Sequence, residues 1–70
     1  MARRLTDRQV EIAELVAAGK STKAIARVLG RSPHTVKNHI ERIAERLPGD
    51  GPPRAKILRW YYSRQLAPAE

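Results

Sequence analysis

Val36, Ile40, Ile43 and Leu47 recur at spacings of four, three and four, which places them on one stripe of a helix that faces a core. The other side of the same segment is polar throughout. At about 100° per residue, His34, Asn38, Glu41, Arg42 and Glu45 point away from the stripe, and Lys37 flanks them. Ser32 is a good N-cap and Pro33 suits the first helical position, so the pattern predicts a helix over roughly 33–47. Ahead of it, Ser21 can cap a helix over roughly 22–29, with Ile25, Ala26, Val28 and Leu29 turned inward and Lys23 and Arg27 outward. Gly30 ends that helix. The earliest start signal is a capping box, Thr6 with Gln9, joined by Leu5 and Val10 at the positions of a hydrophobic staple. It opens a helix over roughly 7–18 that buries Ile12, Ala13, Leu15 and Val16 and stops at Gly19.

After Leu47 the pattern breaks. Pro48-Gly49-Asp50-Gly51-Pro52-Pro53 cannot continue a helix and reads as a connection. A helical pattern returns over roughly 54–66 and contains every aromatic residue of the chain: Trp60, Tyr61 and Tyr62. Its apolar positions, Ala55, Ile57, Leu58, Tyr61, Tyr62 and Leu66, with Trp60 on the other flank, cover more of the circumference than a single core contact requires. That excess suits either a second partner or amphipathic side chains wrapped onto a very small bundle. The predicted architecture is all-α, a four-helix bundle in a single domain spanning residues 1–70, with residues 1–4 and 67–70 frayed. Gly30, Arg31 and Ser32 separate the second and third helices, and so short a glycine-containing turn between two amphipathic helices predicts a helix-turn-helix.

Charge narrows the partner. In 70 residues there are 14 Lys plus Arg against 7 Asp plus Glu, a formal net charge of +7, and the basic residues are spread along the whole chain. This favours a polyanion. The chain has no cysteine, which removes disulfides, thiolate metal sites and cysteine nucleophiles. Met1-Ala2-Arg3-Arg4 is basic but no apolar run follows it, so neither a signal peptide nor a membrane span is expected and the cytoplasm is the default location. Catalysis finds little support. His34 and His39 lie five apart, not on one helical face as a metal-binding pair would, and no metal or cofactor is expected. Glu11 and Glu14 fall on the outer face of the first helix, where solvated carboxylates are commonplace. No glycine-rich phosphate loop or nucleophile motif is present.

Leu5-Thr6, Arg8-Gln9, Glu11-Ile12, Gly19-Lys20-Ser21, Ile25-Ala26, Leu29-Gly30, Ser32, Thr35-Val36-Lys37, His39, Ile43 and Leu47 closely resemble the LuxR/GerE-type helix-turn-helix domain of bacterial transcription regulators. The resemblance runs from about Leu5 to Tyr62. It implies a four-helix bundle whose third helix reads the major groove and whose fourth forms a homodimer contact. It also implies base reading by Lys37, Asn38 and Glu41, and backbone contacts near Ser21, Lys23, Thr35 and His39. Arg27, His34 and Arg42, on exposed sides of the same two helices, join the backbone-contact candidates. Within helix four, Leu58 and Tyr62 share one side at a spacing of four and are the candidate centre of a two-fold contact, with Ile57 and Tyr61 packing inward.

Most members of that family carry a sensor or receiver domain in front, so this chain is expected to act as a stand-alone version of the effector domain. Three departures from the family pattern stand out. Ala24 occupies a position where a glutamate is usual, and Glu41 one that is frequently basic or polar. A carboxylate at 41 could accept from cytosine N4 or pair with Arg42 or Lys37. The connection from Leu47 to Arg54 is about two residues longer than usual. The expected function is sequence-specific binding of double-stranded DNA and transcription regulation, with a weak or DNA-induced homodimer. Two alternatives are a module similar to sigma factor region 4 acting on RNA polymerase, and a protein-interaction domain using the aromatic patch of helix four. The Thr-Val-Lys-x-His run favours LuxR/GerE over sigma.

Overall fold

Side-chain caps define where the first three helices begin. In the computed structural model, which describes residues 5–66 and the side chains of 5–64, Thr6 Oγ1 accepts from the Gln9 N–H at 3.1 Å while Gln9 Oε1 accepts from the Thr6 N–H at 2.9 Å. This capping box opens α1, Asp7–Ala17. Ser21 Oγ accepts from the Ala24 N–H and opens α2, Thr22–Leu29. Ser32 Oγ accepts from the Thr35 N–H, Pro33 takes the first helical position, and α3 runs over Pro33–Glu45. Each cap satisfies an amide that would otherwise lack an intrahelical partner. The fourth helix, α4, spans Pro53–Leu66. Among the described residues all regular structure is helical, as expected of the all-α bundle; the segments 1–4 and 67–70, read as frayed, lie outside the described residues, as does the side chain of Leu66.

Glycine closes α2. Gly30 adopts φ 67°, ψ 36°, the left-handed region that other residues enter only at a cost, and the following Arg31 N–H reaches back to the Ala26 carbonyl at 2.9 Å. This Schellman-type closure turns the chain directly into the Ser32 cap.

The core lies where α1, α2 and α3 converge. Ile12, Ala13 and Val16 of α1, Ile25 and Ala26 of α2, and Val36, Ile40, Ile43 and Ala44 of α3 are buried, and Ile57 joins them from α4. Leu5, Leu15, Leu29 and Trp60 pack around this cluster. The helix bounds differ slightly from the pattern. α1 ends at Ala17 rather than 18, α4 starts one residue earlier at Pro53, and α3 ends at Glu45 rather than 47. Leu47 is nevertheless only 7% exposed, because its place in the apolar stripe survives the change of backbone at the helix end.

Two side-chain placements depart from expectation. Val28, assigned inward, is 62% exposed. Ala26 and Leu29 draw the buried face of α2 round one side of Ile25, and Val28 lies round the other. On α4, Ile57 is fully buried, while Tyr61 is half-buried and shares the inward side with Trp60, which had been placed on the opposite flank. The Arg64 guanidinium covers the Trp60 ring at 4.8 Å, and Tyr61 and Tyr62 meet edge to face at 5.6 Å. The connection before α4 is folded against that helix: Arg59 Nη2 donates to the Asp50 carbonyl at 2.9 Å. Gly49 adopts φ 96°, and a Cβ there would stand 3.4 Å from the Arg59 Nη1 atom.

Candidate nucleic-acid interface

The apolar stripe of α3 determines which of its side chains remain outside. With Val36, Ile40, Ile43 and Ala44 buried, His34, Lys37, Asn38, Glu41, Arg42 and Glu45 are all exposed, and Thr35 and His39 sit half-buried at the margins. The outer face therefore offers an ammonium, an amide, a carboxylate, a guanidinium and an imidazole along about two and a half helical turns. These are the groups that hydrogen-bond base edges and phosphates. Glu41 pairs with neither Lys37 nor Arg42; the salt bridge among the described side chains is Arg8–Glu11 on α1, at 3.7 Å. The Glu41 carboxylate is thus available to a donor from outside.

The start of α3 is ordered by its own hydroxyls. Ser32 Oγ donates to Thr35 Oγ1 at 3.0 Å while accepting from the Thr35 amide at 3.2 Å. Thr35, having accepted that bond, keeps its own hydroxyl hydrogen for an acceptor such as a phosphate oxygen. At the start of α2, Ser21 Oγ is engaged by the Ala24 amide. Lys23 and Arg27 are exposed on successive turns beyond it, and Arg31 is exposed in the turn between the two helices.

Lys37 and Glu41 line one notch together with Thr22, Ile40, Pro53 and Arg54, so the middle of α3 stands beside the starts of both α2 and α4. Arg42 lies elsewhere. It borders a groove shared with Gln9 at the start of α1 and with Glu45 and Arg46. Of the candidate residues, Lys37 and Glu41 thus stand together beside the start of α2, and Arg42 borders a different groove. On α4, Leu58 is half-buried and Tyr62 is 50% exposed. The Tyr62 hydroxyl donates to the Ala17 carbonyl at 3.3 Å, which turns the tip of this ring toward α1.

Thr22 and Arg54, which the sequence pattern does not mark as site residues, meet at the start of α2. Arg54 Nη2 donates to Thr22 Oγ1 at 3.1 Å and Nη1 to the Lys20 carbonyl at 3.2 Å. One signal was available: the first turn of α4 carries Arg54 and no acid, a placement opposed by the helix macrodipole unless the side chain serves something beyond its own helix. Among the described residues no group of three or more His, Cys, Asp or Glu is arranged to hold a metal ion, and no helix is long and apolar enough to cross a membrane.

Comparison with known proteins places the first three helices in a family. Residues 3–49 match the family described as bacterial regulatory proteins, luxR family; the match covers α1, α2 and α3 and ends before α4. Over 43 residues the chain is 54% identical to the transcriptional regulatory protein DesR of Bacillus subtilis (strain 168), a stretch that makes up 61% of this chain and 22% of that protein. The chain thus spans only about a fifth of the length of this curated relative. No solved structure matches the chain.

Proposed function

The chain belongs to the luxR family of bacterial regulatory proteins, and on that premise we propose that it binds double-stranded DNA sequence-specifically and regulates transcription by placing α3 in the major groove. The observation that carries this reading is the outer face of α3, an exposed row of hydrogen-bonding side chains backed by a fully apolar stripe and flanked by the start of α2. Two layers of contact follow. Ser21, Lys23, Arg27, His34, Thr35, His39 and Arg42 meet the phosphate backbone and set the register, helped by the amino termini of α2 and α3. Lys37, Asn38 and Glu41 read base edges, with Lys37 suited to guanine, Asn38 to adenine and Glu41 to the cytosine amino group. The protein works without catalysis, as a binding module.

The net charge of +7 supports a strongly salt-dependent affinity, because each phosphate neutralised releases condensed counterions. Selection of bound sites from random duplex DNA tests the reading directly, and Lys37→Ala assigns the contact. The substitution should weaken binding to the selected site by about 1–3 kcal/mol with thermal stability unchanged. A chain that enriches no sequence, or a Lys37→Ala variant that binds the selected site as before, would remove α3 from the groove.

The homodimer is the finer part of the proposal. Leu58, half-buried, and Tyr62 share a side of α4 next to the one committed to the core. A two-fold contact centred there would repeat the α3 reading on two half-sites. A charge at such a centre is introduced twice and meets its own copy, so Leu58→Asp should abolish cooperative binding to a duplex with two half-sites and leave binding to a single half-site unchanged. Equal affinity per site on both duplexes before mutation would mean that the protein acts as a monomer.

A further inference from the structure

Arg54 is badly placed for its own helix. A cation in the first turn opposes the macrodipole, and no acid accompanies it in the first turn of α4. Its side chain leaves that helix altogether. Nη1 donates to the Lys20 carbonyl at 3.2 Å and Nη2 to Thr22 Oγ1 at 3.1 Å, so the guanidinium grips the residues on either side of Ser21. Ser21 is the cap of α2, its hydroxyl held by the Ala24 amide. α4 packs along α1 and α3 but not along α2, and this one half-buried side chain carries its influence to the start of α2.

We propose that Arg54 is a positioning residue for DNA binding: by clamping Lys20 and Thr22 it holds the amino terminus of α2, with Ser21 and Lys23, in register with the phosphate backbone. The inference rests on the DNA-binding reading above and adds a residue outside the helix-turn-helix to it. A planar guanidinium can serve two acceptors from one rigid fork, whereas a lysine ammonium on a flexible stem does not reproduce that geometry. Thr22 takes part through this bond, its hydroxyl oxygen accepting from Arg54. An arginine at the positive end of α2 is unfavourable for that helix in isolation, and a phosphate arriving there reverses the sign of the interaction. Because Thr22 and Arg54 border the same notch as Lys37 and Glu41, a shift at the start of α2 is felt directly beside the base-reading side chains.

The test is a double-mutant cycle on the whole chain, using a duplex that carries the selected site, at a temperature well below the unfolding transition of every variant. Arg54→Met should weaken binding about tenfold, the loss of a charged hydrogen-bond pair. Thr22→Val should weaken it as well, and the double variant should bind no worse than Arg54→Met alone, since both remove the same clamp. Arg54→Lys, which keeps the charge, should fail to restore affinity. Hydrogen exchange at the Ala24 amide should accelerate in Arg54→Met and remain unchanged in Lys37→Ala. Full affinity in Arg54→Lys would overturn the inference, because the side chain would then act as a charge on a phosphate. Independent losses from Thr22→Val and Arg54→Met would overturn it too. If Arg54→Met does not fold, Arg54→Lys and Thr22→Val complete the same comparison. An unmutated chain that binds no DNA brings down the DNA reading itself, a result distinct from binding that survives Arg54→Lys.

Discussion

α1, α2 and α3 are held together differently from α4. The first three helices are each opened by a side chain on their own doorstep, Thr6, Ser21 or Ser32, and each turns at least two fully or nearly buried apolar residues into a shared core. Among its described side chains, α4 contributes a single fully buried one, Ile57. Half-buried Leu58, Trp60 and Tyr61 add apolar packing, and long side chains complete the attachment: Arg54 to Lys20 and Thr22, Arg59 to Asp50, and Tyr62 to Ala17. The helix-turn-helix is thus built from local capping and full apolar burial, while α4 combines one fully buried isoleucine and half-buried rings with long side chains that reach backbone carbonyls and a hydroxyl. Full burial of a large apolar side chain contributes more than a typical exposed hydrogen bond. α4, with less fully buried apolar surface than α1 or α3, is consequently expected to open before them, and it is also the one proposed to carry the second subunit.

The largest expected effect tests that contrast at its centre. Ile43 and Ile57 are both fully buried, and truncating either to alanine should cost about 2–5 kcal/mol. The location of the loss should differ. Ile43→Ala removes part of the core shared by the first three helices and should lower the unfolding midpoint of the whole protein. Ile57→Ala removes the one fully buried side chain among those described in α4, so native-state amide exchange should show α4 opening at a lower free energy than α3. If the amides of both helices exchange with one common free energy in Ile57→Ala, α4 is as integral as the others and the contrast is wrong.

The same division separates what could be read in the sequence from what could not. The caps at Thr6, Ser21 and Ser32 and the Gly30 turn were legible because donor and acceptor lie within a few residues of each other. The stripe of α3 was legible because its period repeats over more than three turns. Val28 was misread because α2 has only eight residues, too few for the pattern to choose between two adjoining arcs. Beyond the unopposed cation in its first turn, the anchors of α4 left no pattern that names their partners. Arg54 and Tyr62 bond carbonyls 34 and 45 residues away, and every residue carries a carbonyl, so nothing in the identity of Lys20 or Ala17 marks it as an acceptor. For the candidate site, the exposed face of α3 followed from the stripe, and the individual DNA-contact roles came from the family resemblance. The neighbourhood of Thr22 and Arg54 required the fold.

A smaller effect sharpens the local side of the contrast. Ser32→Ala deletes the cap of α3, leaving the Thr35 amide and hydroxyl without their partner. Loss of such a cap costs about 1 kcal/mol. Chemical denaturation should therefore show a lower midpoint with an unchanged slope, and the amides of the first turn of α3 should exchange faster than those of its last turn. A midpoint unaltered by Ser32→Ala would mean that Pro33 alone suffices to start the helix.

The smallest expected effect lies on the distant side, at Tyr62→Phe. The Tyr62 hydroxyl donates to Ala17 O at 3.3 Å, longer than the usual distance for an oxygen donor, and the residue is 50% exposed. The Ala17 carbonyl belongs to the last turn of α1, where acceptors lack an intrahelical donor and are readily served by water. Removing the hydroxyl therefore exchanges one weak bond for hydration of the Ala17 carbonyl, and the stability change should stay within about 0.5 kcal/mol. The ring itself persists, with its edge contact to Tyr61, so cooperative binding to two half-sites should survive Tyr62→Phe even where Leu58→Asp abolishes it. A loss of stability exceeding that of Ser32→Ala would reverse the ranking of local caps over distant fasteners. α4 would then owe its position to its polar reach, and Arg54 and Arg59 would have to be counted among the principal bonds of the fold.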